Sequence, residues 1–176
     1  MLATTALLAT LATLAALTGL RGLLTGLLLS AALSALSTTL AALFSRPPDG
    51  RPLPAWSLTA DQAIVTALGN DVGFELVFAR QLIARAKAGD IAIAMSTSGN
   101  SPNLLAALAE ARQRGLYTIG FAGYDGGAFT NNPHVDVCFI VRSQSVHRIQ
   151  ESQALLGYQL WSATQQRSDD RGLGAA

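Results

Sequence analysis

Residues 89–115, GDIAIAMSTSGNSPNLLAALAEARQRG, contain the pattern that decides the fold. The run IAIAM is a short apolar stretch of the kind that forms a buried strand, and LLAALAEARQRG has apolar positions at helical spacing. Between the two lies a loop rich in hydroxyl side chains. Ser101 is placed to cap the helix, with Pro102 as its first residue, and Gly115 is placed to end it. The stretch therefore predicts a strand, a loop and a helix in succession.

The same alternation continues on both sides of this stretch. Before it, a turn-rich connector precedes three predicted elements: a strand at Leu53–Leu58, a helix over Gln62–Leu68 with Asp61 as its N-cap and a break at Gly69–Asp71, and a helix over residues 74–87. After it, the sequence predicts strands at 117–123 and Val135–Val141, and a last helix from Ser145 to Gln165. This spacing indicates an α/β fold with a parallel sheet covered by helices on both faces.

Length and composition limit the possible functions. The 176 residues suffice for one α/β domain, which we place at residues 46–166, between an apolar segment (1–45) and a flexible tail (167–176). A net charge of +1 argues against a nucleic-acid partner. Cys138 is the one cysteine, which excludes an internal disulfide and a multi-cysteine metal site. Because Cys138 lies in a strand run, we expect it to pack in the core.

The first 45 residues differ from the rest, because only Arg21 is charged among them. Leu and Ala favour helix, and no strict alternation indicates a strand. Three explanations stay open: a helix pair buried in an oligomer core, a membrane-associated segment, and a stretch that is not a natural coding product, such as a frameshifted reading. A secretory signal is not expected, since the segment has no basic start and no clean cleavage site.

Four hydroxyl side chains surround Gly99 where the IAIAM strand ends and the helix begins: Ser96, Thr97, Ser98 and Ser101. Open α/β sheets bind ligands at this place. The N–H groups and the positive dipole end of the helix suit a phosphate, and hydroxyls can donate to its oxygens. A serine-rich cap is the alternative interpretation, but capping needs fewer hydroxyls. The loop therefore predicts a phosphate site that is neither a P-loop nor a dinucleotide fingerprint.

Four motifs occur in order along the chain: ALGNDVGFELVFARQL (67–82), GDIAIAMSTSGNSPNLLAAL (89–108), TIGFAGYDGG (118–127) and RIQES (148–152). Together they resemble the sugar-isomerase (SIS) domain, in its phosphoheptose isomerase branch. The resemblance implies a three-layer, flavodoxin-like fold with a five-stranded parallel sheet, a homotetramer or dimer, and a cytoplasmic location. The implied reaction converts sedoheptulose 7-phosphate to D-glycero-D-manno-heptose 7-phosphate through an enediol, at the start of bacterial heptose synthesis for lipopolysaccharide.

The resemblance also assigns site residues. It implies that Ser96, Thr97, Ser98 and Ser101 hold the sugar phosphate and that Asp61 lies at the sugar. Gln150 matches a glutamine that faces the site and that ligates zinc in metal-bearing members. Arg46 matches the family's characteristic arginine after the second helix.

The acid–base positions of the family are not kept. Its metal-site histidine, catalytic glutamate and partner histidine fall on Thr38, Ala42 and Tyr158. Ala42 has no titratable group, and the unperturbed pKa of a tyrosine is near 10. Zinc, a cofactor of the family, is therefore not expected here, and Gln150 stands as the one remaining ligand candidate.

Other groups on the last helix are weaker candidates. His147 lies one helical turn before Gln150 and is either a substitute base or a surface residue at the helix start. Glu151 is turned about 100° away from Gln150. His134 is expected in a loop, and Trp161 packs with Tyr158 at a helical oligomer seam. Two functions stay open: a phosphoheptose isomerase, and a catalytically inactive SIS binding or scaffold protein resembling relatives that associate with the replication initiator protein.

Overall fold

The computed structural model of the chain describes residues 35–48 and 50–170. The helices are α1 (35–45), α2 (Gln62–Asp71), α3 (Val77–Arg85), α4 (Pro102–Gln113) and α5 (Val146–Asp170), and the strands are β1 (Ile91–Met95), β2 (Tyr117–Gly123) and β3 (Val137–Val141). Short 3-10 turns lie at Phe74–Leu76 and Gly127–Phe129. The three explanations for the apolar segment fall mainly on residues 1–34, outside the described residues, as does the end of the tail.

The α/β fold is confirmed, with a parallel sheet in the order β1-β2-β3. The described residues form three strands, not the five expected. The strand predicted at Leu53–Leu58 is wrong, because this segment is irregular. Pro52 and Pro54 cannot donate to a strand ladder, and the Leu53 N–H instead donates to the carbonyl of Phe44 at 2.8 Å.

Helices cover both faces of the sheet, as predicted. On one face, Leu40 of α1 packs with Met95, Ile119 and Phe121 of the strands. On the other, α3 and α4 pack through clusters that include Leu82, Ala107, Ala111 and Leu108. Cys138 packs in the second of these clusters, and burial raises the pKa of its thiol. The cysteine is therefore a core residue, as expected.

Helix α1 contributes to this core although its composition belongs to the apolar segment. Leu36, Leu40 and Phe44 face the sheet. A methyl group added at Gly157 of α5 would lie 3.2 Å from Leu40 Cδ1, so the glycine allows α1 and α5 to approach closely. In the described part of the chain, no helix has the length and apolar character needed to cross a bilayer.

Several helix ends differ from the prediction. Helix α2 continues through Gly69–Asp71 and ends only where Gly73 takes a φ of +113°, so the predicted break is wrong. Asp61 is its N-cap as predicted, since its Oδ1 accepts from the Ile64 N–H at 3.1 Å. Helix α4 begins at Pro102 as predicted, but the side chain of Ser101 makes no capping hydrogen bond. Helix α5 extends past Gln165 to Asp170.

Strand β3 begins two residues later than expected, because Asp136 anchors the chain beside β2. Its carboxylate accepts from the backbone N–H of Thr118 at 2.8 Å and from the Thr118 hydroxyl at 2.9 Å, and it pairs with Arg112 at 2.8 Å. Mainly because of the Thr118 backbone N–H, the pKa of Asp136 is held below its usual 3.8.

The lowered pKa of Asp136 predicts how the stability of the fold depends on pH. Because the pKa of this carboxyl is lower in the folded than in the unfolded chain, its ionised form stabilises the fold at pH values above the unfolded pKa. That stabilisation is lost as the pH falls through the folded-state pKa. We expect Asp136→Asn to lower the urea midpoint at neutral pH and to differ less from the wild type in acid below 3.8. Asp90→Asn is the control, since the Asp90 carboxylate accepts from the Lys87 N–H in an exposed turn. An equal loss at both pH values would contradict the electrostatic explanation.

Candidate functional site

The hydroxyl loop, Ser96–Ser101, joins the carboxyl end of β1 to the N-terminus of α4. Its backbone is held from two directions. The Ser96 N–H donates to the carbonyl of Phe121 at 2.9 Å, and the Gly123 N–H donates to the carbonyl of Thr97 at 2.9 Å, so β2 fixes the start of the loop. From α5, Gln153 Nε2 donates to the Ser96 carbonyl at 2.7 Å. The first residues of the loop are therefore held in place by β2 and α5.

The four hydroxyls of the loop are not equivalent. Ser96 is 2% exposed, and its Oγ accepts from the Gly99 N–H at 3.0 Å and lies 3.3 Å from the Ser101 Oγ. Thr97, Ser98 and Ser101 are half-buried and can be reached from solvent. The Ser98 Oγ accepts from the Asn100 N–H at 3.2 Å, which leaves its own hydrogen available to a ligand. Ser96 shapes the loop, and the other three hydroxyls can contact a ligand.

Gly99 lets the loop pack against the turn that follows β2. Its φ is +70°, and a Cβ atom would clash with the carbonyl oxygen of Gly126. Asn100 adds to this contact, because its Oδ1 accepts from the Ala128 N–H at 2.8 Å. The loop and the 123–128 turn therefore form one packed unit at the carboxyl edge of the sheet, beside the positive dipole end of α4.

Helix α5, which carries Gln150, packs against the same edge. Ile149 is fully buried, and a Cβ at Gly123 would lie 2.6 Å from its Cγ2, so the helix sits directly on the end of β2. Gln150 lies one turn before Gln153, whose amide reaches the hydroxyl loop, and a spacing of three places both on one helix face. Asp61 caps α2 and is exposed, and its predicted contact with the sugar stays a prediction.

Two open cavities flank these elements. One, of about 510 Å³, lies at the carboxyl ends of β2 and β3 and is lined by Tyr124, Asp125, Arg142, Ser143 and Gln144. The other, of about 420 Å³, lies between α1 and the start of α2 and is lined by residues that include Thr38 and Thr59. The sequence prediction placed residues 124–127 only within the TIGFAGYDGG motif and named neither Arg142 nor Gln153 as a site residue. The position of Arg142 directly after a strand was the available signal.

The positions that the family uses for acid–base chemistry are exposed here. Ala42 lies on α1, and Tyr158 is 48% exposed on α5, its ring 5.4 Å from that of Trp161. His147 and Glu151 are exposed near the start of α5, and the Arg46 N–H continues α1 by donating to the Ala42 carbonyl at 2.8 Å. His134 is half-buried in the loop before β3, as expected.

These residues do not fit a zinc ion. Zinc takes histidine, cysteine and carboxylate ligands in a tetrahedral set. Residues 35–48 and 50–170 contain no group of three or more such side chains placed to hold a metal. The residues that the resemblance assigns to the acid–base positions, Thr38, Ala42 and Tyr158, offer a methyl group and hydroxyls in place of imidazole and carboxylate. No step of the chemistry is therefore assigned to a metal.

The comparisons with known proteins agree with the α/β fold. The family model described as SIS domain matches residues 37–123. The solved phosphoheptose isomerase of Francisella tularensis superposes with a TM-score of 0.72 at 32% identity, covering 77% of this chain and 72% of that one. The chain belongs to the SIS domain family. The phosphoheptose isomerase of Neisseria gonorrhoeae superposes with a TM-score of 0.68 at 34% identity, covering 75% and 70% of the two chains.

Curated relatives are more similar in sequence over a shorter range. The phosphoheptose isomerase of a Nitratiruptor species is 47% identical over 112 residues, which are 64% of this chain and 59% of that protein. That of Aquifex aeolicus is 48% identical over 110 residues, 62% of this chain and 56% of that protein. This SIS chain thus spans little more than half the length of these two relatives.

Proposed function

We propose that this SIS chain binds sedoheptulose 7-phosphate through the hydroxyl loop and acts as a phosphoheptose isomerase. The observation that carries the proposal is that hydroxyls of the loop remain available to donate to a ligand. Ser101 stands at the N-cap position of α4, yet its hydroxyl makes no capping hydrogen bond. In the described part of the chain, the one hydrogen-bond partner of this hydroxyl is the Ser96 Oγ. With Thr97 and Ser98, Ser101 offers donors beside a helix N-terminus, which suits a phosphate dianion.

The reaction needs one base and one acid near the sugar carbons. A proton leaves C1 of the ketose to give the enediol and returns at C2, while the hydroxyl proton moves from O1 to O2. We expect Gln150 to hydrogen-bond the sugar oxygens. His147, three residues earlier on α5, is the nearest imidazole along this helix and the candidate base, since Ala42 cannot take a proton.

The test is a calorimetric titration with sedoheptulose 7-phosphate, matched by one with sedoheptulose, followed by a coupled isomerase assay. The proposal expects binding that requires the phosphate, turnover without added zinc, and a loss of turnover in Gln150→Ala. No binding of the phosphate ester would overturn the proposal. Binding with no turnover would overturn the isomerase part and leave the inactive binding or scaffold protein.

Three further parts belong to this proposal: a homotetramer or dimer, a cytoplasmic location and no bound zinc. Exposed apolar side chains on α5 support an assembly, since Leu155 is 61% exposed and Tyr158 is 48% exposed. Light scattering of the purified chain tests the assembly, and metal analysis tests the absence of zinc.

We expect the double change Ser98→Ala and Ser101→Ala to weaken sugar-phosphate binding by about 1–3 kcal/mol, the range for lost hydrogen bonds to a charged group. Calorimetry measures the affinity. Thr66→Ala is the control, because the Thr66 hydroxyl is exposed on α2 and donates within its own helix. An unchanged affinity in the double variant would mean that these two hydroxyls do not hold the phosphate group.

A further inference from the structure

Gln153 is a buried polar residue that neither the sequence nor the proposed chemistry explains. Its side chain lies on α5 and is 0% exposed. Nε2 donates to the Ser96 carbonyl at 2.7 Å, while Oε1 is buried without a hydrogen-bond partner in the described part of the chain. A buried polar atom left unpaired destabilises a fold by about 1–3 kcal/mol. An apolar side chain of similar size would avoid that cost.

The hydrogen bonds of two other buried glutamines are typical of a purely structural role. Gln165, also on α5, is 7% exposed and uses both ends of its amide, because Oε1 accepts from the Arg51 N–H at 2.8 Å and Nε2 donates to the Arg51 carbonyl at 3.0 Å. Gln81 donates to the carbonyls of Leu58 and Val77. Within residues 35–48 and 50–170, the Gln153 side chain makes one hydrogen bond, and its acceptor is the carbonyl of the first residue of the hydroxyl loop.

We propose that Gln153 is a positioning residue that ties the hydroxyl loop to α5. Its bond holds the Ser96 carbonyl, and the Ser96 hydroxyl in turn orients Gly99 and Ser101. Because Gln150 lies one turn away on the same helix face, the bond also sets the spacing between the phosphate-binding hydroxyls and Gln150. This inference rests on the proposed function for its effect on ligand affinity, but its effect on the loop needs no ligand.

The experiment compares Gln153→Met with Gln165→Met in the full chain. Methionine has the length and about the volume of glutamine and removes the donor. Hydrogen exchange without ligand reports the amides of Gly99 and Gly123, and calorimetry reports the affinity for sedoheptulose 7-phosphate. In Gln153→Met we expect exchange at these amides to accelerate about tenfold and the affinity to fall about three- to tenfold, as for one lost hydrogen bond. Gln165→Met should leave both unchanged.

The outcomes separate the two proposals. If the wild type does not bind the phosphate ester, the proposed function fails, while faster exchange in Gln153→Met alone still supports the positioning role. If exchange and affinity in Gln153→Met equal those of Gln165→Met, the positioning role is overturned.

A second variant tests the same bond through a different measurement. In Gln153→Glu, burial raises the pKa of the new carboxyl group. The protonated acid can donate to the Ser96 carbonyl, whereas the carboxylate repels it. Relative to the wild type at each pH, the affinity should therefore recover as the pH is lowered from about 9 to about 6. A ratio that does not change with pH would overturn the proposal.

Discussion

Gly99→Ala is expected to abolish measurable binding of a sugar phosphate and to destabilise the fold. The backbone at this position has a φ of +70°, which costs a residue with a Cβ about 1–3 kcal/mol. The new methyl group would also clash with the carbonyl oxygen of Gly126, which is backbone and cannot rotate away. The hydroxyl loop must therefore move off the 123–128 turn. Urea unfolding and calorimetric titration measure the two effects.

Gly89→Ala separates backbone strain from the clash. Gly89 has a φ of +90°, but a Cβ there would meet nothing within 4 Å. We expect this control to lose stability through strain alone and to bind the ligand as the wild type does. If Gly99→Ala binds the sugar phosphate with unchanged affinity, close packing of the hydroxyl loop against the turn is not needed for binding.

Phe121→Ala is expected to give the largest loss of stability, about 3–5 kcal/mol, as for other buried phenylalanines. Phe121 is 0% exposed in the middle strand and packs with Leu40 of α1 and Met95 of β1. Its ring meets that of Phe139 edge to face, with centroids 5.4 Å apart. The Phe121 carbonyl also holds the Ser96 N–H, so a shift of this strand displaces the hydroxyl loop. Urea unfolding measures the loss.

Phe139→Ala is the matched control, because Phe139 belongs to the same ring pair but is 37% exposed. It loses the aromatic contact and only part of the burial, so we expect a clearly smaller effect. Equal losses in the two variants would contradict the placement of Phe121 inside the core and of Phe139 at its edge.

Local patterns predicted most of the central elements. IAIAM and YTIGFAG form strands and residues 102–113 form a helix, as predicted. The signals for these elements are the spacing of apolar residues and the positions of proline and glycine, and each signal is contained within a few residues of sequence. The prediction failed at Leu53–Leu58, where apolar residues suggest a strand but Pro52 and Pro54 have no N–H to donate to a ladder. It also failed at Gly69, since a helix tolerates one glycine when neighbouring turns continue it.

The candidate site likewise has one part that the sequence predicts and one part that it does not. The hydroxyl loop was predictable, because hydroxyl residues between a strand and a helix form a local signal. The inward role of the Ser96 hydroxyl and the bond from Gln153 were not, because they depend on how α5 packs on the end of β2. A glutamine in a helix carries no local sign that its amide reaches a backbone carbonyl 57 residues away.

The most direct test of the central claim is a crystal structure of the chain soaked with sedoheptulose 7-phosphate. We predict that the phosphate group lies against the hydroxyls of Ser98 and Ser101 at the N-terminus of α4. A well-ordered ligand bound elsewhere, with those hydroxyls turned to one another or to the backbone, would contradict the claim.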